Sequence, residues 1–302
     1  MSILVVGSVA YDNIETPHGS KQRLLGGTAT NFSASASFFT PVHMIGVVGR
    51  DFEDSHVEYL KSRGIDISGL EVDTTGTTFS WTGRYFDDIN RRETLDTQLG
   101  VFANFDPKIS KAHSELPFLF LAGIHPSLQL KVLNQMKSPK LVAVDTWKLW
   151  IDTTRDELQE VIERADLLFV NDEEAFGITG ERNVTKAARK IMSYGSKVVV
   201  IKRGEYGALL YTKDSVFSAP GLPLPSVMDP TGAGDTFAGG FLGCVAGKGD
   251  LSDAALRRAV ICGSAMASFQ VEDFGIDRLK RLTLSEIEER MKHFKNLSHF
   301  EL

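Results

Sequence analysis

One stretch of the sequence combines a tight loop, a helix start and acidic side chains: Asp229-Pro-Thr-Gly-Ala-Gly-Asp235. Its proline and glycines predict a turn that brings the amides of Gly232, Ala233 and Gly234 to a helix N-terminus. Unpaired N–H groups and the helix dipole make an anion site there. Asp235 could take a hydroxyl proton while these amides hold negative charge, so the loop suits phosphoryl transfer to an alcohol.

A helix cap is the simpler interpretation of an isolated Gly-x-Gly-Asp, since Asp is favourable at helix N-termini. The added Asp229 and Thr231, and the small-residue helix that follows, favour a functional loop. Other glycine motifs fail. Gly243–Gly249 lacks the spacing and the Lys-Ser/Thr pair of a Walker A loop. Phe237 stands where a dinucleotide fingerprint needs its third glycine, which disfavours a Rossmann oxidoreductase.

Polar residues also follow apolar runs that are typical of buried strands. Asn171 and Glu174 follow Leu167–Val170, and Lys202 follows Val198–Ile201. Open α/β sheets bind ligands beyond the carboxyl ends of their strands, so these side chains should meet at one edge. Mg²⁺ prefers oxygen ligands and keeps several waters, so an outer-shell Glu and Asn suit it. A solvated, acid-rich helix start is the structural alternative.

Gly26, Gly27 and Asn31 form a second group with chemical potential. Glycine lets the backbone approach a ligand without a Cβ, and Asn offers a donor and an acceptor to a hydroxyl group. Residues Asn31–Phe39 are a helix-like stretch, so an ordinary turn with Asn31 as the N-cap before Phe32–Phe39 is the alternative.

Short β-branched strands alternate with helix-like stretches along the chain, which indicates βαβ units and a mainly parallel sheet with helices on both faces. The predicted fold is therefore doubly wound α/β. The strands are predicted at Ile3–Val6, Val42–Val48, Phe118–Ala122, Leu141–Val144, Leu167–Val170 and Val198–Ile201. The other helices are predicted at Asp51–Ser62, Leu128–Met136, Asp156–Ala165, Val184–Ser193, Thr236–Ala246, Leu251–Phe269 and Leu284–Phe294.

One segment, residues 74–104, is rich in Thr and aromatic residues with alternating polarity, which predicts antiparallel strands joined by a turn at Asp87–Asn90. We expect it to form a small lid with residues 11–25, and residues 1–302 to make one catalytic domain. Phe79, Trp81 and Tyr85 should share one face. They could cover the substrate, stack on a base or bury a lid-to-lid homodimer interface.

These motifs, in this order along nearly the whole chain, resemble the ribokinase/PfkB family of carbohydrate and nucleoside kinases. The resemblance implies a three-layer ribokinase-like fold with a β-sheet lid, and ATP and Mg²⁺ as cofactors. It assigns Asp235 as catalytic base, with the amides of Gly232, Ala233 and Gly234 as an anion hole. It implies substrate binding by Asp12, Gly26, Gly27 and Asn31, and ATP binding by Asn171, Lys202, Gly204, Gly207 and Thr231.

The resemblance also implies that Glu174 orders Mg²⁺ through water and that Asp229, Thr231, Ser268 and Gly275 form a monovalent-cation site, which would hold K⁺. The sequence departs from the family at Asp145-Thr-Trp147-Lys148, where the family has Asp-x-Asn-x-Arg. Lys148 could still neutralise phosphate, but without the bidentate geometry of Arg. His125 follows a strand and is more simply structural than catalytic.

The composition of the 302 residues excludes several classes of protein. A net charge of −6 and a pI near 5.7 give no basic surface for nucleic acid. Cys244 and Cys262 are too few for a disulfide framework, which favours a reducing cytosol. Neither a signal peptide nor a membrane-spanning run is predicted. We expect a cytoplasmic protein that binds small molecules.

The resemblance predicts an ATP-dependent kinase that phosphorylates a primary hydroxyl of a sugar. A nucleoside kinase is the alternative, because an aromatic lid could admit a base. An inactive regulatory homologue is disfavoured by the retention of Asp235, both loop glycines, Asn171 and Glu174. The sequence does not distinguish among sugars and nucleosides.

Overall fold

Apolar runs form the strands and amphipathic segments form the helices, as hydrophobic periodicity predicts. The computed structural model describes residues 1–299 and 301, whose elements we number in chain order. The strands are β1 (Ile3–Val6), β2 (Ala10–Thr16), β3 (Gly19–Gly26), β4 (Val42–Gly49), β5 (Ile65–Asp73), β6 (Phe79–Tyr85), β7 (Arg92–Gln98), β8 (Phe118–Leu121), β9 (Leu141–Asp145), β10 (Leu167–Asn171), β11 (Val198–Lys202), β12 (Ala208–Tyr211) and β13 (Val216–Ala219). The helices are α1 (Thr28–Ala36), α2 (Asp54–Ser62), α3 (Lys111–Ser114), α4 (Pro126–Gln135), α5 (Lys148–Thr153), α6 (Arg155–Arg164), α7 (Asp172–Thr179), α8 (Val184–Tyr194), α9 (Ala233–Lys248), α10 (Asp253–Gln270), α11 (Asp277–Lys280) and α12 (Leu284–Leu297).

The larger sheet has nine strands in the order β13-β12-β11-β10-β9-β8-β1-β4-β5. Its pairings from β11 to β5 are parallel, and β12 and β13 add an antiparallel edge. The chain first extends the sheet from β1 through β4 and β5, and then continues on the other side of β1 with β8. Strand order therefore reverses beside β1, and such a switch point opens a ligand-binding crevice beyond the strands' carboxyl ends.

Two apolar layers cover this sheet, because successive strand residues point to opposite faces. Ile3 and Val5 of β1 belong to the layer that α1, α9 and α10 complete. Leu4 and Val6 belong to the opposite layer, which α4, α6 and α8 complete. The result is the three-layer, doubly wound α/β arrangement that the sequence predicts.

A smaller sheet has four strands in the order β3-β2-β6-β7. The outer pairings are antiparallel, whereas β2 and β6 are parallel. Its strands lie in the two segments predicted to form a lid, with one additional residue at each end of the first. We call this sheet the lid. Arg91 N donates to Asp88 O at 2.9 Å in the turn between β6 and β7, where the sequence predicts one.

Several boundaries differ from the sequence prediction. Helix α1 begins at Thr28, so Asn31 lies inside it. Helix α2 begins at Asp54 rather than Asp51, because the Asp51 carboxylate instead accepts from the Thr78 amide at 2.7 Å. The sequence reading missed β5, β12, β13 and the short helices, which include α5 and α7. In the described part of the chain, no helix combines the length and the apolarity needed to cross a membrane.

Candidate active site

Three adjacent strands end in polar residues at the crevice: Asp145 ends β9, Asn171 ends β10 and Lys202 ends β11. Lys202 Nζ donates to Asp145 Oδ2 at 2.6 Å, and the two side chains are 17% and 5% exposed. A Cβ added to Gly234 would lie 3.1 Å from the same Nζ. The sheet edge therefore brings a buried ammonium group to the first turn of α9.

The loop before α9 makes the turn that its glycines predict. Gly232, the residue before the helix, has a φ of +72°, a conformation that favours glycine. Ala233 N donates to Pro230 O at 3.2 Å, which closes the turn and corrects the prediction that this amide is free to bind an anion. Within residues 1–299 and 301, the amides of Gly232 and Gly234 have no hydrogen-bond partner. These two amides can receive an anion.

Asn31 reaches the same loop from α1. A Cβ on Gly232 would lie 2.4 Å from Asn31 Nδ2, so the side chain packs there only because residue 232 is glycine. Asn31 Nδ2 donates to Gly27 O at 3.1 Å. Its buried Oδ1 has no partner in the described part of the chain, which leaves an acceptor for a hydroxyl group. The helix-cap alternative for Asn31 is wrong.

Asp12 packs against Gly26, which the sequence groups with Gly27 and Asn31. A Cβ on Gly26 would be 1.9 Å from Asp12 Oδ2, so the carboxylate occupies the space that a side chain would fill. Burial, and then the charge of Asp229, raise the pKa of Asp12 to about 7. The structure thus brings Asp12, Gly26 and Asn31 to one wall of the crevice.

Asp235 stands among other carboxylates in the first turn of α9. Burial raises its pKa to about 8, and the negative charges of Asp145, Asp12 and Glu174 add to the shift while Lys202 opposes it. Burial alone would lower the pKa of Lys202, but the carboxylates of Asp145 and Glu174 outweigh it and the pKa is raised. Perturbed titration in a crevice is typical of functional sites.

Asn171 and Glu174 form a reciprocal cap at the start of α7. Asn171 N donates to Glu174 Oε2 at 2.8 Å, and Glu174 N donates to Asn171 Oδ1 at 2.8 Å. The two residues do start a helix, as the structural alternative expects, but Glu174 is not solvated as that alternative requires. Glu174 is also buried at the crevice, and burial raises its pKa to about 7. A carboxylate and an amide that are fixed in this way fit Mg²⁺ held through water.

A cavity of about 550 Å³ opens beside the anion loop. Its walls include Lys202, Gly204, Gly207 and Ser268, which the sequence places near a nucleotide or a cation. The sequence analysis missed the apolar part of the wall: Ile89, Leu222, Leu224, Val227 and Phe294. The alternation of Leu and Pro over 222–225, shortly before Asp229, is the signal that could have indicated an extended apolar wall.

Protein groups already bond to the predicted ligands of the cation site. Asp229 Oδ1 accepts from Thr231 N at 2.8 Å, and its Oδ2 accepts from Gly275 N at 2.9 Å. Gln270 Nε2 donates to the carbonyl oxygens of Thr231 and Gly275 at 3.1 and 2.6 Å. The Ser268 hydroxyl donates to one carbonyl and accepts from a guanidinium of α12. With these contacts made, this donor set does not fit a bound K⁺.

The residues that depart from the family pattern lie at the periphery. Lys148 pairs with Asp152 at 2.6 Å in a largely exposed position, and it is not part of the cavity wall. The Trp147 indole covers Gly123, where a Cβ would lie 2.6 Å from its Nε1. His125 caps α4 by accepting a backbone amide, so its role here is structural.

The lid reaches the anion loop through Tyr85. Thr231 Oγ1 donates to Tyr85 Oη at 3.1 Å, and the ring is buried with Ile14 and Phe274. Phe79 is also buried and stacks on the ring of Phe102, whereas the Trp81 ring lies over Gly83. Packing within the chain therefore accounts for the burial of Phe79 and Tyr85.

A doubly wound sheet with a lid, an anion loop and buried carboxylates defines a kinase of the carbohydrate or nucleoside class. Residues 2–279 match the family described as "pfkB family carbohydrate kinase". The chain belongs to this family. It is 34% identical over 249 residues to a cytidine kinase of Thermococcus kodakarensis, which covers 80% of this chain and 87% of that protein.

Solved structures share the fold over almost the whole chain. The Methanocaldococcus jannaschii nucleoside kinase, described as an archaeal member of the ribokinase family, has a TM-score of 0.79 at 24% identity and covers 97% of this chain and 98% of its own. A protein designated ribokinase II from E. coli, in complex with ATP and Mg²⁺, has a TM-score of 0.76 at 21% identity and covers 97% and 99%. These likenesses confirm the predicted ribokinase-like fold.

Proposed function

We propose that this enzyme transfers the terminal phosphoryl group of ATP to a primary hydroxyl of a nucleoside. The observation that carries the proposal is the meeting of Asn31 with Gly232, because it joins the hydroxyl-binding wall to the anion loop. The similarity to a cytidine kinase favours a nucleoside over the free sugar that the sequence resemblance predicts.

Asp235 takes the proton of the acceptor hydroxyl as the new P–O bond forms and the bond from the terminal phosphoryl group to the departing ADP breaks. Asn31 Oδ1 and the Asp12 carboxylate accept from neighbouring hydroxyl groups and hold the acceptor in line. The free amides of Gly232 and Gly234 stabilise the charge on the moving phosphoryl group, which is the main demand of this chemistry.

ATP would occupy the cavity whose walls include Gly204, Gly207 and Lys202, and the Lys202 ammonium group would attract its phosphates. Mg²⁺ would neutralise phosphate charge there, with Glu174 and Asn171 holding its water ligands. K⁺ is not included, because protein groups already satisfy its predicted ligands. The lid excludes water that would otherwise hydrolyse ATP.

A free sugar is the second candidate. The hydroxyl-directed groups, Asp12 and Asn31, would recognise a polyol as well as a ribosyl unit, and the family description names carbohydrate kinases. The two candidate substrates differ in whether the acceptor must carry a nucleobase to be turned over.

Release of ADP across a panel of nucleosides and free sugars tests the proposal. We expect turnover with at least one nucleoside, and an Asp235→Asn variant should lose about 10²- to 10⁴-fold in kcat. Glu173→Gln is the control, because this carboxylate, next to Glu174 in the sequence, is exposed. Turnover of free sugars alone would show that the acceptor is a sugar rather than a nucleoside. Full activity of Asp235→Asn would refute the assignment of Asp235 as the catalytic base.

The proposal is for a cytosolic enzyme that forms a homodimer through the lid. Strand β7 is exposed along its whole length, and Leu95 and Leu99 are 40% and 47% exposed. An exposed edge strand can pair with a second copy of itself. The molecular mass in solution tests this, and a monomer at all concentrations would contradict it.

A further inference from the structure

Gln270, at the end of α10, joins the anion loop to the loop that follows α10. Its side chain is fully buried. Its Nε2 donates to Thr231 O in the anion loop at 3.1 Å and to Gly275 O at 2.6 Å. Both acceptors are carbonyl oxygens, so the amide must present its nitrogen rather than its oxygen to them. The NH₂ group has two hydrogens, one for each carbonyl.

The position of this nitrogen is chemically unusual. Two backbone carbonyls, a buried carboxylate and a hydroxyl are oxygen donors of the kind that bind a monovalent cation. Here a neutral donor group stands between the carbonyls, and the Asp229 carboxylate accepts two backbone amides. The contacts that a cation would make to hold the loops together are therefore made by the chain itself.

We propose that the Gln270 amide takes the structural place of a monovalent cation, so that this enzyme positions its anion loop without K⁺. The inference rests on the proposed function, because the loop it positions carries Gly232 and Gly234. Gln270 is a positioning residue. It acts on the reaction through the carbonyl of Thr231, which precedes the first of the free amides.

Gln129 offers a matched control. It too is fully buried, and its Nε2 donates to two backbone carbonyls, Ala122 O at 2.8 Å and Asp145 O at 3.0 Å. Loss of either glutamine removes two hydrogen bonds made by a buried amide group. Only loss of Gln270 opens a space that is lined by Thr231 O, Gly275 O and the Asp229 carboxylate. A response to cations should therefore separate the two variants, even if both lose stability.

The test compares K⁺ with tetramethylammonium at equal ionic strength in the intact chain. For the wild type we expect the same kcat and the same melting temperature in both salts. For Gln270→Ala we expect kcat to fall about tenfold or more through the loss of two hydrogen bonds. K⁺, but not tetramethylammonium, should restore part of this activity and raise the melting temperature, because a ligand that binds the folded state stabilises it. Gln129→Ala should show no such response.

A several-fold rise in wild-type kcat with K⁺, or a K⁺-dependent rise in its melting temperature, would overturn the inference. So would a Gln270→Ala variant that responds to K⁺ no more than Gln129→Ala does. If Gln270→Ala does not fold, the wild-type comparison still decides. The melting temperatures keep the inference separate from the proposed function, because they can be measured even if no acceptor is turned over.

Discussion

Replacing Lys202 by Met should destabilise the protein far more than replacing Lys197. The two lysines flank the same strand, β11, and each pairs with one aspartate at nearly the same distance. Lys202 Nζ lies 2.6 Å from Asp145, and Lys197 Nζ lies 2.7 Å from Asp166. The first pair is 17% and 5% exposed, whereas Lys197 is 78% exposed. The comparison therefore isolates burial.

The expected magnitudes follow from this difference. Breaking a buried pair by removing one partner leaves an uncompensated charge and costs about 3–5 kcal/mol in the free energy of unfolding. An exposed pair is worth about 0–1 kcal/mol, because water screens it and long side chains lose entropy in holding it. Lys202 also opposes the carboxylates of Glu174 and Asp235, so Lys202→Met should fall within the upper range.

The loss of stability in Lys202→Met should depend on pH. Burial raises the pKa of Asp145 even beside Lys202, whose charge lowers it, so the substitution raises this pKa further. A carboxyl with a raised folded pKa binds more protons in the folded state. The contribution of this carboxyl to the free energy of unfolding is fully present below its pKa in the unfolded chain. It is lost at about 1.4 kcal/mol per pH unit as pH rises toward its pKa in the folded protein. The deficit of Lys202→Met should therefore grow as pH rises above the wild-type pKa of Asp145, which itself lies above the ordinary value of about 4.

Urea unfolding of wild type, Lys202→Met and Lys197→Met across this pH range measures these quantities. Adding Asp145→Asn to Lys202→Met should recover much of the loss, since it removes the uncompensated charge. Equal losses for the two single variants, or a Lys202→Met loss that does not change with pH, would refute the argument from burial.

Three further predictions concern catalysis. Because Asp235 must be deprotonated to act as a base, kcat/KM should rise about tenfold per pH unit below its pKa, and a plateau should begin near its pKa of about 8; a flat profile would contradict the base assignment. Tyr85→Phe removes the hydroxyl that accepts from the anion loop and should lower kcat by about two- to tenfold; the control is Tyr194→Phe, at the last residue of α8 and outside the cavity wall, which should leave kcat unchanged. Glu174→Gln keeps the helix cap but loses charge, so the Mg²⁺ concentration for half-maximal rate should rise about tenfold without a lower melting temperature, whereas Glu173→Gln should leave both unchanged.

The sequence predicts the central parallel strands well because a strand buried on both faces must be apolar throughout. The edge strands carry no such signal. Strand β5 mixes polar and apolar residues because it is partly exposed, and β13 is largely exposed. Their positions depend on pairing with β4 and β12, which are contacts that local periodicity does not encode.

The site residues that follow strands were predictable for a related reason. Parallel strands end at one edge, so Asp145, Asn171 and Lys202 had to converge. The use of each backbone group was not predictable. The Ala233 amide closes its own turn, and Gln270 reaches the loop from another helix. The wall formed by Ile89 and Phe294 likewise depends on how remote segments pack, since these residues lie about 200 positions apart in the 302-residue chain.

The anion loop is where the parts of the molecule act on one another. Asn31 packs on Gly232, Tyr85 bonds to Thr231, and Gln270 holds the Thr231 carbonyl. The acceptor wall, the lid and the C-terminal helices thus each contact the same few residues. The loop is tightly constrained at Gly232, because φ is positive there and a Cβ would collide with Asn31. A shift of any one of these three parts would therefore move the free amides. Acceptor binding and lid closure should therefore both change the position of the Gly232 and Gly234 amides before transfer begins.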